Sequence, residues 1–299
     1  MATLPSGAVD ESWHLRRGDA ITPELTAMRL LGGGSAYEAF LAFDEVTCGP
    51  VVAKVVRPSE VDDHQTLAGL EREAAALEVA NHPVVVRGLR HDVDGPRPHL
   101  VLEFVEGPRL SRLIRRYGRL SEQQYLPLAI EVAAALHFFG HRDVCHLDIK
   151  PSNIIMGSPA RLIDLSVARP AHRAAEIEGL IGTDAYLAPE QADPGGRYGV
   201  PAYASDVWGL GATLFHAIAG ERPFASGDPD AATPEERHPQ VRYAPGPLPT
   251  DLPSGVGSLV LAMLEPDPVH RPLPREVVDA LTPALDALPA PRALSFKVR

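Results

Sequence analysis

Between Thr26 and Arg57 the chain alternates short apolar runs with Gly, Asp and Pro: "AMRLLGG", "AYEAFLAF" and "PVVAKVVR". Runs of this length, broken by turn-forming residues, predict three strands joined by turns. The period then changes. In "HQTLAGLEREAAALEVANHP", Leu67, Leu70, Ala74 and Leu77 recur at helical intervals. They predict a helix with one buried face, stopped at Asn81-His82-Pro83. "VVVRGLRH" and "HLVLEFVEG" return to strand-like runs.

Farther along, "SEQQYLPLAIEVAAALHFF" predicts a long buried helix opened by Ser121, with Glu122 to Gln124 in its first turn. "NIIMG" and "ARLIDL" predict two short strands around a turn. "SDVWGLGATLFHAIAG" is apolar on most faces, as a core helix must be. The stretch 223–255, rich in Pro, Asp and Gly, predicts loop with one short helix. Two helices near 255–265 and 274–287 close the pattern. The organisation expected is a loosely held arm (1–23), a two-lobed α+β unit (24–287) and an Ala/Pro-rich tail (288–299). Within that unit the sheet-rich lobe is 24–105 and the helical lobe 106–287.

Composition changes this picture little. Acidic residues number 39 against 28 basic ones, a formal charge of -11, and they are scattered. Nucleic acid and anionic membranes, which require a concentrated basic surface, are not expected as partners. Cys48 and Cys145 form neither a zinc pattern nor a disulfide framework, and no apolar run reaches the roughly 18 residues of a membrane span. A soluble, cytoplasmic protein is expected; the oligomeric state is open.

Chemistry concentrates in "HRDVCHLDIKPSN", which holds two His-x-Asp triplets, His141-Arg142-Asp143 and His146-Leu147-Asp148. Phosphoryl transfer needs a carboxylate beside the attacking hydroxyl and an oxygen ligand nearby for Mg²⁺. Asp148 has Asn153 five residues on, with Lys150 and Pro151 between; Asp143 has only Asp148 at that spacing. Spacing favours the second triplet, and the first reads as a solvated polar turn.

"HLDIKPSNII" resembles the catalytic loop of eukaryotic-type protein kinases, and the resemblance extends over roughly residues 26 to 285. It implies the bilobal kinase fold, ATP and Mg²⁺, and a protein substrate with a Ser or Thr acceptor. "LLGGGSAYEAF" resembles the phosphate-covering glycine loop, implying nucleotide contact at Gly32, Gly33, Gly34 and Ala39. "VVAKV" resembles the third-strand lysine motif, implying phosphate contact at Lys54 and nucleotide contact at Ala53. Glu73 matches the helix glutamate that pairs with that lysine; Glu71 competes, but Glu73 shares a face with Leu70 and Leu77. The resemblance further implies nucleotide contact at Glu103 and Val105. It makes Asp148 and Lys150 catalytic, and Asn153 and Asp164 metal ligands. "GTDAYLAPE" resembles the end of an activation segment, with Glu190 partnered by Arg271, and Asp206 resembles the brace of the catalytic loop. Lys150 and Thr183 are similar to Ser/Thr-specific members. Small-molecule phosphotransferases share part of this set but generally lack the Ala-Pro-Glu segment.

Four departures from the family stand out. Tyr37 stands at the third glycine, and Ala39 where a valine is usual; the phosphate loop is expected to be stiffer or held differently. Leu147 replaces the arginine before the base, and from Val167 to Gly182 there is no Ser, Thr or Tyr. Both absences point to a kinase not switched by phosphorylation of its activation segment. Leu165-Ser166 replace Phe-Gly, which disfavours a flipped-out segment, and Asp184 replaces a proline beside the peptide surface. A pseudokinase acting as an ATP-binding scaffold is the alternative, although every ionic catalytic group is present.

Overall fold

The structure is a computed structural model that describes residues 11–289. A six-stranded antiparallel sheet forms the smaller lobe. Its strands are β1 (Ala20–Thr22), β2 (Leu25–Gly33), β3 (Tyr37–Asp44), β4 (Gly49–Val56), β5 (Gly88–Asp92) and β6 (His99–Glu103), in the order β1-β2-β3-β4-β6-β5. Side chains of β3 and β4 alternate in burial, so each strand gives one face to each side of the sheet. Phe40, Ala42, Val51, Ala53, Val55 and Val101 form a core on one face. Tyr37, Val52, Leu100 and Leu102 belong to the other, which packs against helix α1 (His64–Val79) and the second lobe. Asp63 caps α1 by accepting the Thr66 N–H at 2.8 Å, and Leu70, Glu73, Ala74 and Leu77 form its buried stripe.

Two expectations need correction here. Residues 11–22, read as a loosely held arm, lie against the sheet. Trp13 donates its indole N–H to the Val56 carbonyl at 2.7 Å, and its backbone N–H to Glu38 at 3.1 Å. Ile21 is buried, with Trp13 and Leu15 packed on the same core. A few apolar side chains and one strand are enough to dock a polar stretch. Positions 1–10 of the expected arm and 290–299 of the expected tail lie outside the described residues. The second correction concerns "VVVRGLRH": β5 begins only at Gly88. Val84 and Val86 instead exchange backbone hydrogen bonds with Leu162, so this run stitches the two lobes together.

The larger lobe is built around α3 (Glu122–His141), opened by a Ser121–Gln124 capping box and preceded by α2 (Leu110–Tyr117). A two-stranded ribbon, β7 (Ile154–Ile155) with β8 (Arg161–Leu162), follows. Short helices α4 (Ala171–Ala175) and α5 (Pro189–Ala192) lead to the core helix α6 (Tyr203–Ala219). Thirteen residues of α6 are buried, which explains its apolar circumference. Its end is set by Gly220 in the left-handed region, at φ 80°. The predicted loop beyond contains α7 (Pro234–Arg237), and α8 (Val256–Met263) and α9 (Pro274–Asp286) complete the lobe. Among the described residues no helix is long and apolar enough to cross a membrane.

Candidate active site

The cleft between the lobes gathers side chains from four elements. Lys54, on the cleft face of β4, donates to Glu73 on α1 at 2.5 Å and lies 3.5 Å from Asp164 beyond β8. Burial alone would lower the Lys54 pKa, but Glu73 and Asp164 outweigh it and hold the ammonium above its ordinary value. Burial would likewise raise Asp164, yet Lys54 and the Ser166 groups keep it below the usual carboxylate value. The three form one charged set linking sheet, helix and larger lobe. Glu71, the competitor, is exposed.

Below this set lies the catalytic loop. Asp148 accepts Lys150 Nζ at 2.6 Å, the Thr183 hydroxyl at 3.0 Å and Asn153 Nδ2 at 3.0 Å. Lys150 also reaches the Thr183 hydroxyl at 2.5 Å. The base candidate is therefore ionically matched and held from three sides. Its backbone is held too. Asp206 on α6 accepts the N–H groups of His146 at 2.7 Å and Leu147 at 2.6 Å. Burial pushes the Asp206 carboxyl up to about 7 despite those two donors. Leu147 stands in the left-handed region, at φ 63°, and its carbonyl accepts Gln191 Nε2 at 2.9 Å.

The other triplet is occupied differently. Asp143 accepts the Tyr203 hydroxyl at 2.6 Å and the Ala171 N–H at 3.0 Å. It is not merely a solvated turn: it ties α4 and α6 to the end of α3, away from the cleft.

Asn153 spends its amide nitrogen on Asp148 and leaves Oδ1 without a protein partner among the described residues. The Asp164 side chain is 40% exposed. A few open hard oxygens suit Mg²⁺, which typically binds through one or two carboxylates plus substrate phosphates. Among the described residues no group of three or more His, Cys, Asp or Glu gathers as a self-sufficient metal cage.

Above the cleft, Gly32, Gly33 and Gly34 make the turn from β2 to β3. A Cβ on Gly33 would stand 2.5 Å from the Tyr37 carbonyl, so a side chain there is excluded. Arg57 donates to the Gly34 carbonyl at 2.7 Å. Tyr37, at the third-glycine position, needs no positive φ because it already begins β3. Its ring lies 4.6 Å from Lys54 Nζ, and its hydroxyl donates to the Thr66 carbonyl in the first turn of α1 at 2.7 Å. This tie from loop to helix is what holds the loop differently. Ala39 pairs with Lys54 in register and shares the cleft face with Tyr37.

Ala53 does not belong to this site. Strand alternation puts it opposite Lys54, fully buried with Phe40 and Val55; Val52 is the small-lobe residue beside Lys54 on the cleft face. Glu103 lies at the end of β6 with its carboxylate on Arg87 and near Arg161, and its N–H donates to the Arg87 carbonyl at 2.9 Å, so neither its side chain nor its N–H is open to a ligand. The peptide groups of Val105 have no partner among the described residues.

The site, its order along the chain and its place between a sheet lobe and a helical lobe correspond to the protein kinase domain family, which matches residues 25–281. The chain belongs to that family. It is 31% identical over 267 residues to serine/threonine-protein kinase PknA of Mycobacterium tuberculosis, covering 86% of this chain and 60% of that protein. It is 29% identical over 271 residues to drp72 of Corynebacterium efficiens, covering 88% and 51%. To PknB of Mycolicibacterium smegmatis it is 29% identical over 232 residues, covering 71% and 36%. The chain thus spans about half the length of the curated relatives it matches.

Sequence reasoning missed Gln191 and Gly182, which support this site from behind, while the Glu190–Arg271 pair it expected is present. Gln191 bridges the carbonyls of Leu147 and Ile181, at 2.9 and 3.2 Å, joining catalytic loop to activation segment. Gly182, at φ 115°, has Leu147 O only 2.8 Å from where a Cβ would lie. Leu147 itself packs with Cys145, Ala174 and Ile177, against Val167, Ala171 and Ile181. A run of Ala and Ile in a segment otherwise Arg- and Glu-rich was the available signal. Glu190 and Arg271, both almost fully buried, pair through two bonds of 2.7 and 2.8 Å.

Proposed function

We propose that this chain transfers the γ-phosphate of ATP to Ser or Thr hydroxyls of protein substrates in the cytoplasm, with no requirement for activation-segment phosphorylation. The observation that carries the reading is the convergence of Asp148, Lys150, Asn153 and Thr183 opposite Lys54 and Asp164. Asp148 orients the acceptor hydroxyl and takes its proton, while Thr183 and Lys150 fix the carboxylate. Lys54, held by Glu73, grips the phosphates, and Lys150 offsets charge on the transferred group. Asn153 Oδ1 and Asp164 would hold Mg²⁺, which when bound supplies further neutralisation of phosphate charge. The Glu103 carbonyl and the peptide groups of Val105 receive the base, under Ala39.

Independence from phosphorylation rests on Leu147. Where a cation would need a phosphate partner, an apolar side chain joins Cys145, Ala174 and Ile177 and holds the segment by burial. The segment offers no hydroxyl between Val167 and Gly182.

Radiolabelled ATP with a Ser/Thr-containing acceptor protein tests the reading. Asp148→Asn should lower turnover by about 10²–10⁴ and Lys54→Met by about 10²–10³. Phosphatase pretreatment should leave the wild type unchanged. Equal, near-zero incorporation in all three proteins, with Mg-ATP still bound, would establish the scaffold instead.

A further inference from the structure

The segment ahead of β1 and the glycine turn between β2 and β3 meet at one side chain. Arg57, the residue after β4, donates its Nε–H to the Gly34 carbonyl at 2.7 Å and a terminal N–H to the Glu11 carbonyl. Its backbone N–H donates to the Ala36 carbonyl at 2.9 Å. One arginine thus holds the turn at two carbonyls and reaches the docked segment with its other edge.

That segment is itself pinned. The buried Glu38 carboxylate, on β3, accepts the Ser12 hydroxyl at 2.7 Å and the Trp13 N–H at 3.1 Å, and lies 3.7 Å from Arg57. Trp13 gives its indole N–H to the Val56 carbonyl at 2.7 Å, and its ring centroid lies 4.7 Å from the Arg97 guanidinium carbon. Trp13 packs on the core of Phe40 and Val55, the face of the sheet away from the cleft. Any influence of this segment on the cleft must therefore pass through an intermediary, and Arg57 is the side chain placed to be one.

A guanidinium is a planar fork, so fixing one nitrogen aims the others. With one edge of Arg57 held by Glu11 and Glu38, its Nε–H points at Gly34 with little further ordering. Gly32 to Gly34 have more backbone freedom to lose than other residues when the turn closes on a ligand. A turn already held has lost part of that freedom before binding, which favours affinity. Tyr37 ties the turn to α1 through Thr66; Arg57 ties it to residues 11–13. We propose that Arg57 is a positioning residue for the glycine turn, and that residues 11–13 act through it to set the affinity for the phosphates of ATP from outside the cleft. The proposal rests on the reading of Gly32–Gly34 as the phosphate contact and adds a second, remote determinant to it.

Titration of a fluorescent ATP analogue with Mg²⁺ into the full-length chain, beside amide hydrogen exchange without nucleotide, tests it. Arg57→Gln should weaken analogue binding about three- to tenfold, the worth of one ordinary hydrogen bond. Arg57→Lys should weaken it as much, because a point charge keeps the attraction to Glu38 but not the fork. Trp13→Ala should weaken binding by a similar factor. It should also speed exchange at Gly34, whose N–H is bonded to the Tyr37 carbonyl at 3.0 Å and not to Trp13. The double Trp13→Ala/Arg57→Gln chain should bind no worse than Arg57→Gln alone, since both act along one path. In phosphate transfer the single variants should raise KM for ATP by the same factors with kcat changed less than about twofold. Wild-type affinity in Arg57→Lys, unchanged Gly34 exchange in Trp13→Ala, or additive losses in the double variant overturns the proposal and leaves the kinase reading untouched. A wild type that binds the analogue but transfers no phosphate defeats the kinase reading alone; one that binds no analogue defeats both.

Discussion

Asp206→Asn isolates the group that holds the catalytic loop. In the wild type both carboxylate oxygens accept a backbone N–H, from His146 and Leu147. An amide offers one oxygen, so one buried N–H loses its acceptor, at about 1–3 kcal/mol. The pH dependence is the sharper signature. The carboxyl titrates near 3.8 in its ordinary state and at about 7 when buried here. At about 1.4 kcal/mol for each tenfold change, the folded state binds this proton about 4 kcal/mol more tightly than the unfolded chain does. Between those two values the folded protein carries more protons than the unfolded, so stability falls as pH rises. The contribution is fully present below about 4 and lost as pH passes through about 7. Asparagine does not titrate. Urea unfolding of both proteins from pH 5 to 8 should therefore show the variant gaining on the wild type by about 2–3 kcal/mol as pH rises, the part of the total that falls in that window. Other titrating groups cancel in the difference. A difference constant to within about 1 kcal/mol across that range would refute the argument, and would mean that the two N–H donors keep Asp206 ionised throughout.

Three other substitutions probe separate parts. Glu190→Gln leaves the buried Arg271 guanidinium without its counter-charge, costing about 3–5 kcal/mol. At about 2–4 °C per kcal/mol for a chain near this size, calorimetry should show Tm falling by about 6–20 °C. Tyr37→Phe keeps the ring over Lys54 but deletes the bond to the Thr66 carbonyl, a loss of about 1 kcal/mol. Hydrogen exchange should rise in the first turn of α1 and not in α6. Leu147→Arg puts an unpaired cation among Cys145, Ala174 and Ile177, for an expected loss of at least about 3 kcal/mol. Trypsin should then cut faster at Arg169 and Arg173, and turnover should fall; an unchanged digestion rate would count against the apolar clasp.

The parts legible in the sequence were those fixed by chain order. Lys54, Glu73, Asp148, Asn153 and Asp164 follow one another at intervals dictated by the elements carrying them. The lobes were legible because a two-residue period gives way to a 3.6-residue one near α3. What failed were judgements of face and of long-range docking. Ala53 was expected at the nucleotide from the resemblance of "VVAKV" to the lysine motif, but adjacent residues of a strand point to opposite sides. The stretch 11–22 looked loose because docking by Trp13, Leu15 and Ile21 depends on a groove that other strands provide. Gln191 and the Tyr37 hydroxyl act on backbone carbonyls of distant segments, and a carbonyl leaves no trace in residue type.

Leu147 joins these observations. A kinase whose loop depends on an arginine there can have its geometry set by whether a phosphate is present. Here the backbone at Leu147 is fixed by Asp206 on one side and Gln191 on the other. Its side chain is buried under Ala174 and Ile177. All three restraints are indifferent to phosphorylation of the segment. Leu147→Arg should accordingly impair the loop without creating phosphate dependence; residual turnover that became sensitive to phosphatase treatment would refute this.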